Sequence, residues 1–198
     1  MTADNRGYDS ERTMPQPITI LLSGAPGAGK STIQRRAPGY FRTRLGATAA
    51  LGTDEIYTLV DPDWSMADET WHQIARDNCI LLAKSFFQHG FRLVVIAGNA
   101  LYTRSNVNEY LAALLPISAI YHFTLDAHLD AVVERVRARG DLDTHSPDWL
   151  ASWLDQIRSH YAHWTQLIDT SDLTVEQTLD TIYTHIRLQH GRLTELID

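Results

Sequence analysis

The 198-residue chain has a single cysteine, Cys79, so no internal disulfide can form, and this usage suggests a reducing cytoplasm. No apolar run approaches the roughly 18 residues that a membrane span requires. The opening stretch, MTADNRGYDSERTMPQP, carries charges and turn formers but no hydrophobic signal core. It reads as a disordered tail over residues 1–16, ahead of one folded unit over residues 17–198. Basic residues number 17 against 24 acidic ones, for a formal charge of −7, which argues against a general grip on nucleic-acid backbone. No internal repeat or low-complexity tract is present. What the chain does have is 44% hydrophobic residues, enough to build the core of one domain.

Those apolar residues fall in an alternating order. ITILLS (18–23) is a short continuous run, as in a strand buried on both faces. A helix is predicted from about Gly29 to Ala37, ended by Pro38-Gly39. ATAALGTDEIY (47–57) is a weaker second strand followed by a loop, with Thr53, Asp54 and Glu55 at the strand's carboxyl edge. A helix opening near Ser65 or Asp68 is expected to bury Trp71, Ile74, Ala75, Asn78, Leu81, Leu82, Ser85 and Phe86, and to close at Gly90. RLVVIAGN (92–99) is a strand, followed by a helix over about 105–114. SAIYHFTL (118–125) is the next strand, followed by a helix to Gly140. Ser146-Pro147 opens a further helix, and QLIDTS (166–171) is a last strand. Thr174 with Gln177 is a capping box for the final helix. Alternation of this kind predicts a parallel sheet with helices on both faces, and ligands in such sheets gather at the carboxyl ends of the strands.

At the first strand's carboxyl end stands GAPGAGKS (24–31), which fits G-x-x-x-x-G-K-[ST], the phosphate-binding P-loop. Gly24, Gly27 and Gly29 let the backbone curl around an anion. Ala25, Pro26 and Ala28 contribute N–H or shape between them, and the following helix adds its positive end. Lys30 can reach the terminal phosphates, Ser31 can ligate Mg²⁺, and Thr32 can bond an inner phosphate. The pattern points to a nucleoside triphosphate. No N-K-x-D guanine signature accompanies it, and the chain is short for a motor or a transporter ATPase.

RLVVIAGN lacks the aspartate that often ends such a strand, and Asn99 stands there instead. The leading carboxylate is Asp54, with Glu55 second. Asp54 is placed to orient or deprotonate an acceptor hydroxyl and to help hold Mg²⁺. In ERVRARGD (134–141), Arg135 and Arg139 are spaced i, i+4 on one helix face, and Arg137 projects elsewhere. The first two suit a clamp on a migrating phosphoryl group, with Arg135 also touching nucleotide. The polar segment beyond them, around 139–160, is expected to form a small helical lid.

GAPGAGKST (24–32), TDEIY (53–57), VVIAGN (94–99), RVRARGD (135–141) and IDTSDLTVEQTLDTI (168–182) together resemble the small P-loop kinases of the nucleoside-monophosphate-kinase type. The likeness is to the chloramphenicol phosphotransferase-like group in particular, with its gluconate-kinase and shikimate-kinase relatives. It spans roughly residues 17–188, and its most specific part is the P-loop. It implies a P-loop NTPase three-layer α/β sandwich with five parallel strands and a helical lid. It also implies ATP and Mg²⁺, and phosphorylation of a small-molecule hydroxyl such as that of an antibiotic or nucleoside-like compound, as in a resistance enzyme. Thr170, Ser171 and Asp172 would lie near the adenine.

For the acceptor, Tyr57, Trp64, Asn99 and Arg104 are the pocket candidates, and Trp71 is expected in the core. Aromatics with one arginine suit a flat or partly apolar hydroxylated compound. His160 and His163, i and i+3, have no cysteine or carboxylate cluster beside them and read as a solvated helix face. The expected partners are ATP and a small acceptor, with no membrane, and the chain as a monomer or homodimer. Two other readings stand beside the kinase: a polynucleotide- or tRNA-directed kinase, and an ATP-binding regulatory module with little turnover.

Overall fold

A computed structural model describes residues 16–62, 69–140, 145–161 and 163–197. Trp64, Ser65 and Asp68 lie outside them. The elements in chain order are β1 (Ile18–Gly24), α1 (Lys30–Phe41), β2 (Thr48–Gly52), α2 (Thr53–Tyr57), α3 (Glu69–Gln88), β3 (Leu93–Ala97), α4 (Arg104–Leu114), β4 (Ala119–Asp126), α5 (Leu129–Ala138), α6 (Pro147–Tyr161), β5 (Gln166–Asp169), α7 (Val175–Leu188) and β6 (Arg192–Leu193). A single 3₁₀ turn, Asn99–Leu101, links β3 to α4.

Strands β1 to β5 form the expected five-stranded parallel sheet, in the order β2-β3-β1-β4-β5. A sixth strand, β6, pairs antiparallel with β4 at Ile120 and Tyr121. The sequence reading contains no strand there, because two residues carry no periodicity. The helices cover both faces. Ile20, Leu22, Val95 and Phe123 pack against α1 and α7, while Leu21, Val94, Ile96 and Ile120 pack against α3 and α4. A third cluster joins α5 to α6 through Val132, Val136, Leu150, Leu154 and Ile157. Helix α6 occupies most of the segment expected as a lid, and residues 141–144 of that segment lie outside the described residues. Among the described residues no helix is long and apolar enough to cross a membrane.

The second strand is shorter than expected: it ends at Gly52, and TDEIY (53–57) turns into the helix α2, whose first turn carries Asp54 and Glu55. Two helices also differ from expectation, each for a packing reason. Helix α1 does not stop at Pro38-Gly39 but continues to Phe41. Proline inside a helix costs roughly 3 kcal/mol. Phe41, 1% exposed in the core, offsets that by burying a large aromatic surface. Helix α3 is rotated from its predicted face. It buries Ala75, Arg76, Cys79, Ile80 and Ala83, while Leu81 and Leu82 are 64% and 37% exposed. The small residues Ala75, Cys79 and Ala83 let the helix sit close to the sheet. Arg76 turns inward because Glu69, Gln73 and Glu109 all accept from it or flank it, at 2.6–2.9 Å.

Candidate active site

The strand order places β1 between β3 and β4, so the chain leaves β1 where the sheet's winding reverses. Such a switch point opens a crevice at the carboxyl ends. The loop 24–29 fills its base, and the cavity above measures about 520 Å³. Gly27 has φ +82°, and a Cβ there would stand 3.0 Å from Val132 Cγ1 and Val136 Cγ2. Helix α5 therefore packs directly on the loop. Ala25 and Ala28 point inward and are buried.

Lys30 is only 8% exposed. Its Nζ donates to the Gly24 carbonyl at 2.7 Å and to that of Ala25 at 3.3 Å. Burial lowers its pKa from 10.5 to about 8. Asp54 opposes the shift and Arg139 adds to it. Ser31 and Thr32 follow on the exposed, cavity-lining side of the first turn of α1.

Asp54 sits at the end of β2, in the first turn of α2, and lines the same cavity. Its Oδ1 accepts from the Asn99 backbone N–H at 3.1 Å and from the Thr53 hydroxyl at 3.2 Å. Glu55 faces away, exposed, and accepts from Gln34 Nε2 at 3.2 Å. Asn99 lines the cavity too, and its Oδ1 accepts from the Tyr102 hydroxyl at 2.6 Å.

Gly98, absent from the sequence candidates, makes this seat possible. Its φ is +141°, and a Cβ there would lie 2.0 Å from Thr53 Oγ1 and 3.0 Å from Asp54 Oδ1. A glycine closing a buried strand was the available signal. Gly98→Ala is expected to displace Thr53 and Asp54 and to cost activity as well as stability, by about 2–4 kcal/mol. Thermal unfolding beside a turnover assay checks this, and wild-type behaviour in both would mean the seat is not tight.

Arg135 and Arg139 both line the cavity, and Arg137 is exposed away from it. Their settings differ. The Arg135 guanidinium donates to the Thr170 hydroxyl (3.2 Å), the Thr170 carbonyl (2.6 Å) and the Ser171 carbonyl (3.2 Å). Thr170, 4% exposed, lies within hydrogen-bond reach of the Ala28 carbonyl of the P-loop and the Asp126 carbonyl of β4. Through Thr170, Arg135 thus ties α5 and the β5–α7 loop to the P-loop. Arg139, at the end of α5, is exposed toward the cavity and electrostatically coupled to Lys30.

Neither a protein-family model nor a curated protein matches the sequence. Solved structures do match. Shikimate kinase from Acinetobacter baumannii in complex with shikimate superposes with a TM-score of 0.59 at 17% identity, over 89% of this chain and 96% of that one. The tunicamycin resistance protein of Deinococcus radiodurans gives 0.60 at 19%, over 89% and 98%. A sugar kinase from Janibacter sp. gives 0.58 at 14%, over 87% and 95%. The chain has the P-loop kinase fold.

Within this kinase fold, the structure brings Lys30, Ser31, Thr32, Asp54, Asn99, Arg135 and Arg139 around one cavity. Of the remaining candidates, Tyr57 is 2% exposed and packs beside His72 in the α2–α3 junction, outside the cavity lining. Arg104 lines a separate cleft beside α6. Trp71 is half-buried. His163 lies beyond the end of α6, in the second cleft, rather than on a helix face with His160. Several cavity residues, Arg35, Leu173 and Thr178 among them, were not sequence candidates. Thr170 entered only through the resemblance, and His145 not at all.

Proposed function

We propose that the protein transfers the γ-phosphoryl group of ATP to a hydroxyl of a small molecule. The observation that carries this reading is the seat of Asp54. A carboxylate stands beside a P-loop lysine with one oxygen pinned by a backbone N–H and a hydroxyl, in a cavity whose far side is built from Thr170, Leu173, Thr174 and Thr178. A carboxylate so placed can take a proton from an acceptor hydroxyl, which a pure nucleotide-binding module does not require.

In this reading the triphosphate lies along the P-loop, with the base toward the β5–α7 loop that Arg135 holds. Lys30 and Arg139 flank the transferred group and stabilise its charge. The acceptor oxygen attacks the γ-phosphorus as the bond to the β-bridging oxygen breaks, and its proton passes to Asp54 Oδ2. ADP and the phosphorylated acceptor leave.

The donor set also fits a bound Mg²⁺. Ser31 and Asp54 both face the cavity, and among the described residues no three His, Cys, Asp or Glu side chains gather into a full ligand cage. Mg²⁺ suits this, since it is held by one or two protein oxygens plus phosphate and water. It would neutralise charge on the transferred phosphate. The likeness to shikimate, sugar and antibiotic-resistance proteins supports an acceptor of metabolite or antibiotic size, and the single buried cysteine supports action in the cytoplasm.

The test is ADP release by the purified protein with ATP and Mg²⁺, across antibiotics, sugars, nucleosides and a short oligonucleotide. A rate that rises with one small compound supports the reading. A rate that rises only with the oligonucleotide would favour a polynucleotide kinase, and tight ATP binding with a flat rate throughout would favour a regulatory module.

The two arginines should separate in the same assay. Arg139→Ala is expected to lower kcat by about 10²-fold with little change in ATP affinity. Arg135→Ala is expected to weaken ATP binding and lower the melting temperature together, because it unties the Thr170 loop. Equal effects of the two substitutions on kcat and affinity would refute this division.

A further inference from the structure

Four aromatic rings form a chain of successive contacts beside the cavity. Tyr102 lies 4.8 Å from Trp153, Trp153 lies 5.8 Å from Trp149, and Trp149 lies 4.8 Å from His145, between ring centroids. This series of contacts begins and ends at the proposed transfer site. His145 lines the P-loop cavity. The Tyr102 ring centroid is 6.0 Å from Lys30 Nζ, and its hydroxyl lies 3.2 Å from the Gly24 carbonyl and 2.6 Å from Asn99 Oδ1.

Against these rings opens a second cleft of about 540 Å³, between the start of α4 and the second half of α6. Its lining combines three aromatic rings, Tyr102, Trp153 and Trp164, with the polar side chains of Arg104, Gln156 and His163 and two hydroxyls. Its Trp164 is held in place from below. The ring stacks on the fully buried His122 at 5.0 Å and 20°, and His122 Nε2 is 3.0 Å from Ser23 Oγ, the residue before Gly24. Burial keeps this imidazole neutral, lowering its pKa to about 3. Its Nδ1 has no hydrogen-bond partner among the described residues. An apolar residue would spare that desolvation cost.

We propose that this cleft holds the phosphoryl acceptor, and that the acceptor has a flat aromatic or apolar body bearing a hydroxyl that reaches Asp54 past the edge of Tyr102. The inference rests on the phosphotransferase reading for its chemistry, but not for its binding site. Three aromatic walls, with Arg104 as the one formal charge in the lining, match a ring that stacks. A polyanion would call for several arginines or lysines instead. In this proposal the aromatic wall is formed by Tyr102, Trp153 and Trp164 and not by Tyr57, which packs beside His72.

The test is a tryptophan-fluorescence and calorimetric titration of the full chain with phenylethanediol, and with glycerol as its polar match. Phenylethanediol should bind saturably and glycerol should not. Trp153→Ala should weaken phenylethanediol binding by about tenfold or more, and Trp153→Phe should restore most of it. Gln156→Trp fills the cleft from an exposed position on α6 without removing any core group, and should block binding in a protein that still takes up ATP. Wild-type affinity in Trp153→Ala and in Gln156→Trp, equal binding of glycerol, or no binding of phenylethanediol would overturn the inference. If a sugar or shikimate stimulates ADP release at a rate insensitive to both substitutions, the cleft assignment falls and the phosphotransferase reading stands. If phenylethanediol binds in a Trp153-dependent way but no acceptor stimulates ADP release, the binding cleft stands and the phosphotransferase reading falls.

Discussion

Lys30→Met is expected to abolish phosphoryl transfer while making the ligand-free protein more stable. The catalytic loss, about 10²–10³-fold or more, follows from removing the cation that meets developing phosphate charge in a water-poor site. The stability gain follows from burial. The lysine pKa is lowered from 10.5 to about 8 because the charged form is poorly solvated. Below about pH 8 the lysine is charged in both folded and unfolded chains, and the fold carries the whole cost. Between about 8 and 10.5 the folded protein releases a proton that the unfolded chain keeps, so stability rises with pH across that window.

Methionine fills the volume without the charge. Part of the gain is offset because the Gly24 and Ala25 carbonyls lose a donor, although the Tyr102 hydroxyl still reaches Gly24. The net gain should be about 1–2 kcal/mol at neutral pH, read as a melting temperature a few degrees higher. A lower melting temperature would show that the lysine is an anchor rather than a strained functional group. The same shift sets a pH dependence for wild-type nucleotide binding. Affinity should be flat below about pH 8 and fall above it, as the unliganded lysine loses its proton. Calorimetric affinities on either side of that pH check this.

Asp54→Asn is expected to lower kcat by about 10²-fold or more while leaving ATP affinity within a few-fold. The amide keeps an oxygen for the Asn99 N–H and the Thr53 hydroxyl, so the fold around it should survive. What it loses is the capacity to accept the acceptor's proton and to hold a cation. Glu55→Gln serves as the control, since that side chain faces away toward Gln34, and its turnover should match wild type. Asp54 also raises the Lys30 pKa. Its neutralisation should therefore move the decline in nucleotide affinity to a pH below about 8, a readout independent of turnover. A normal rate in Asp54→Asn with a slow Glu55→Gln would reverse the assignment.

The P-loop half of the candidate site was legible in the sequence because its information is local. Eight consecutive residues, GAPGAGKS, specify a backbone shape, a lysine and a hydroxyl with no help from distant chain, and the buried strand before them orients the loop. Asp54 was legible for a related reason, since it follows a strand whose carboxyl end must face the crevice. The alternation of apolar runs likewise revealed the parallel sheet.

Other features depended on what packs against what. The rotation of α3 follows from Arg76 finding Glu69 and Glu109, and from three small residues allowing close approach to the sheet. The continuation of α1 through Pro38 follows from a place in the core for Phe41. β6 exists only because Ile120 and Tyr121 of β4 offer it free edge groups. Gly98 matters only because Thr53 and Asp54 arrive beside it from another strand end. The aromatic cleft is the extreme case. Tyr102, Trp153, Trp164 and His122 come from four different segments, and each has an ordinary core or surface reading within its own segment. Local periodicity carries no record of which helix will face which turn, so tertiary packing alone made them one wall.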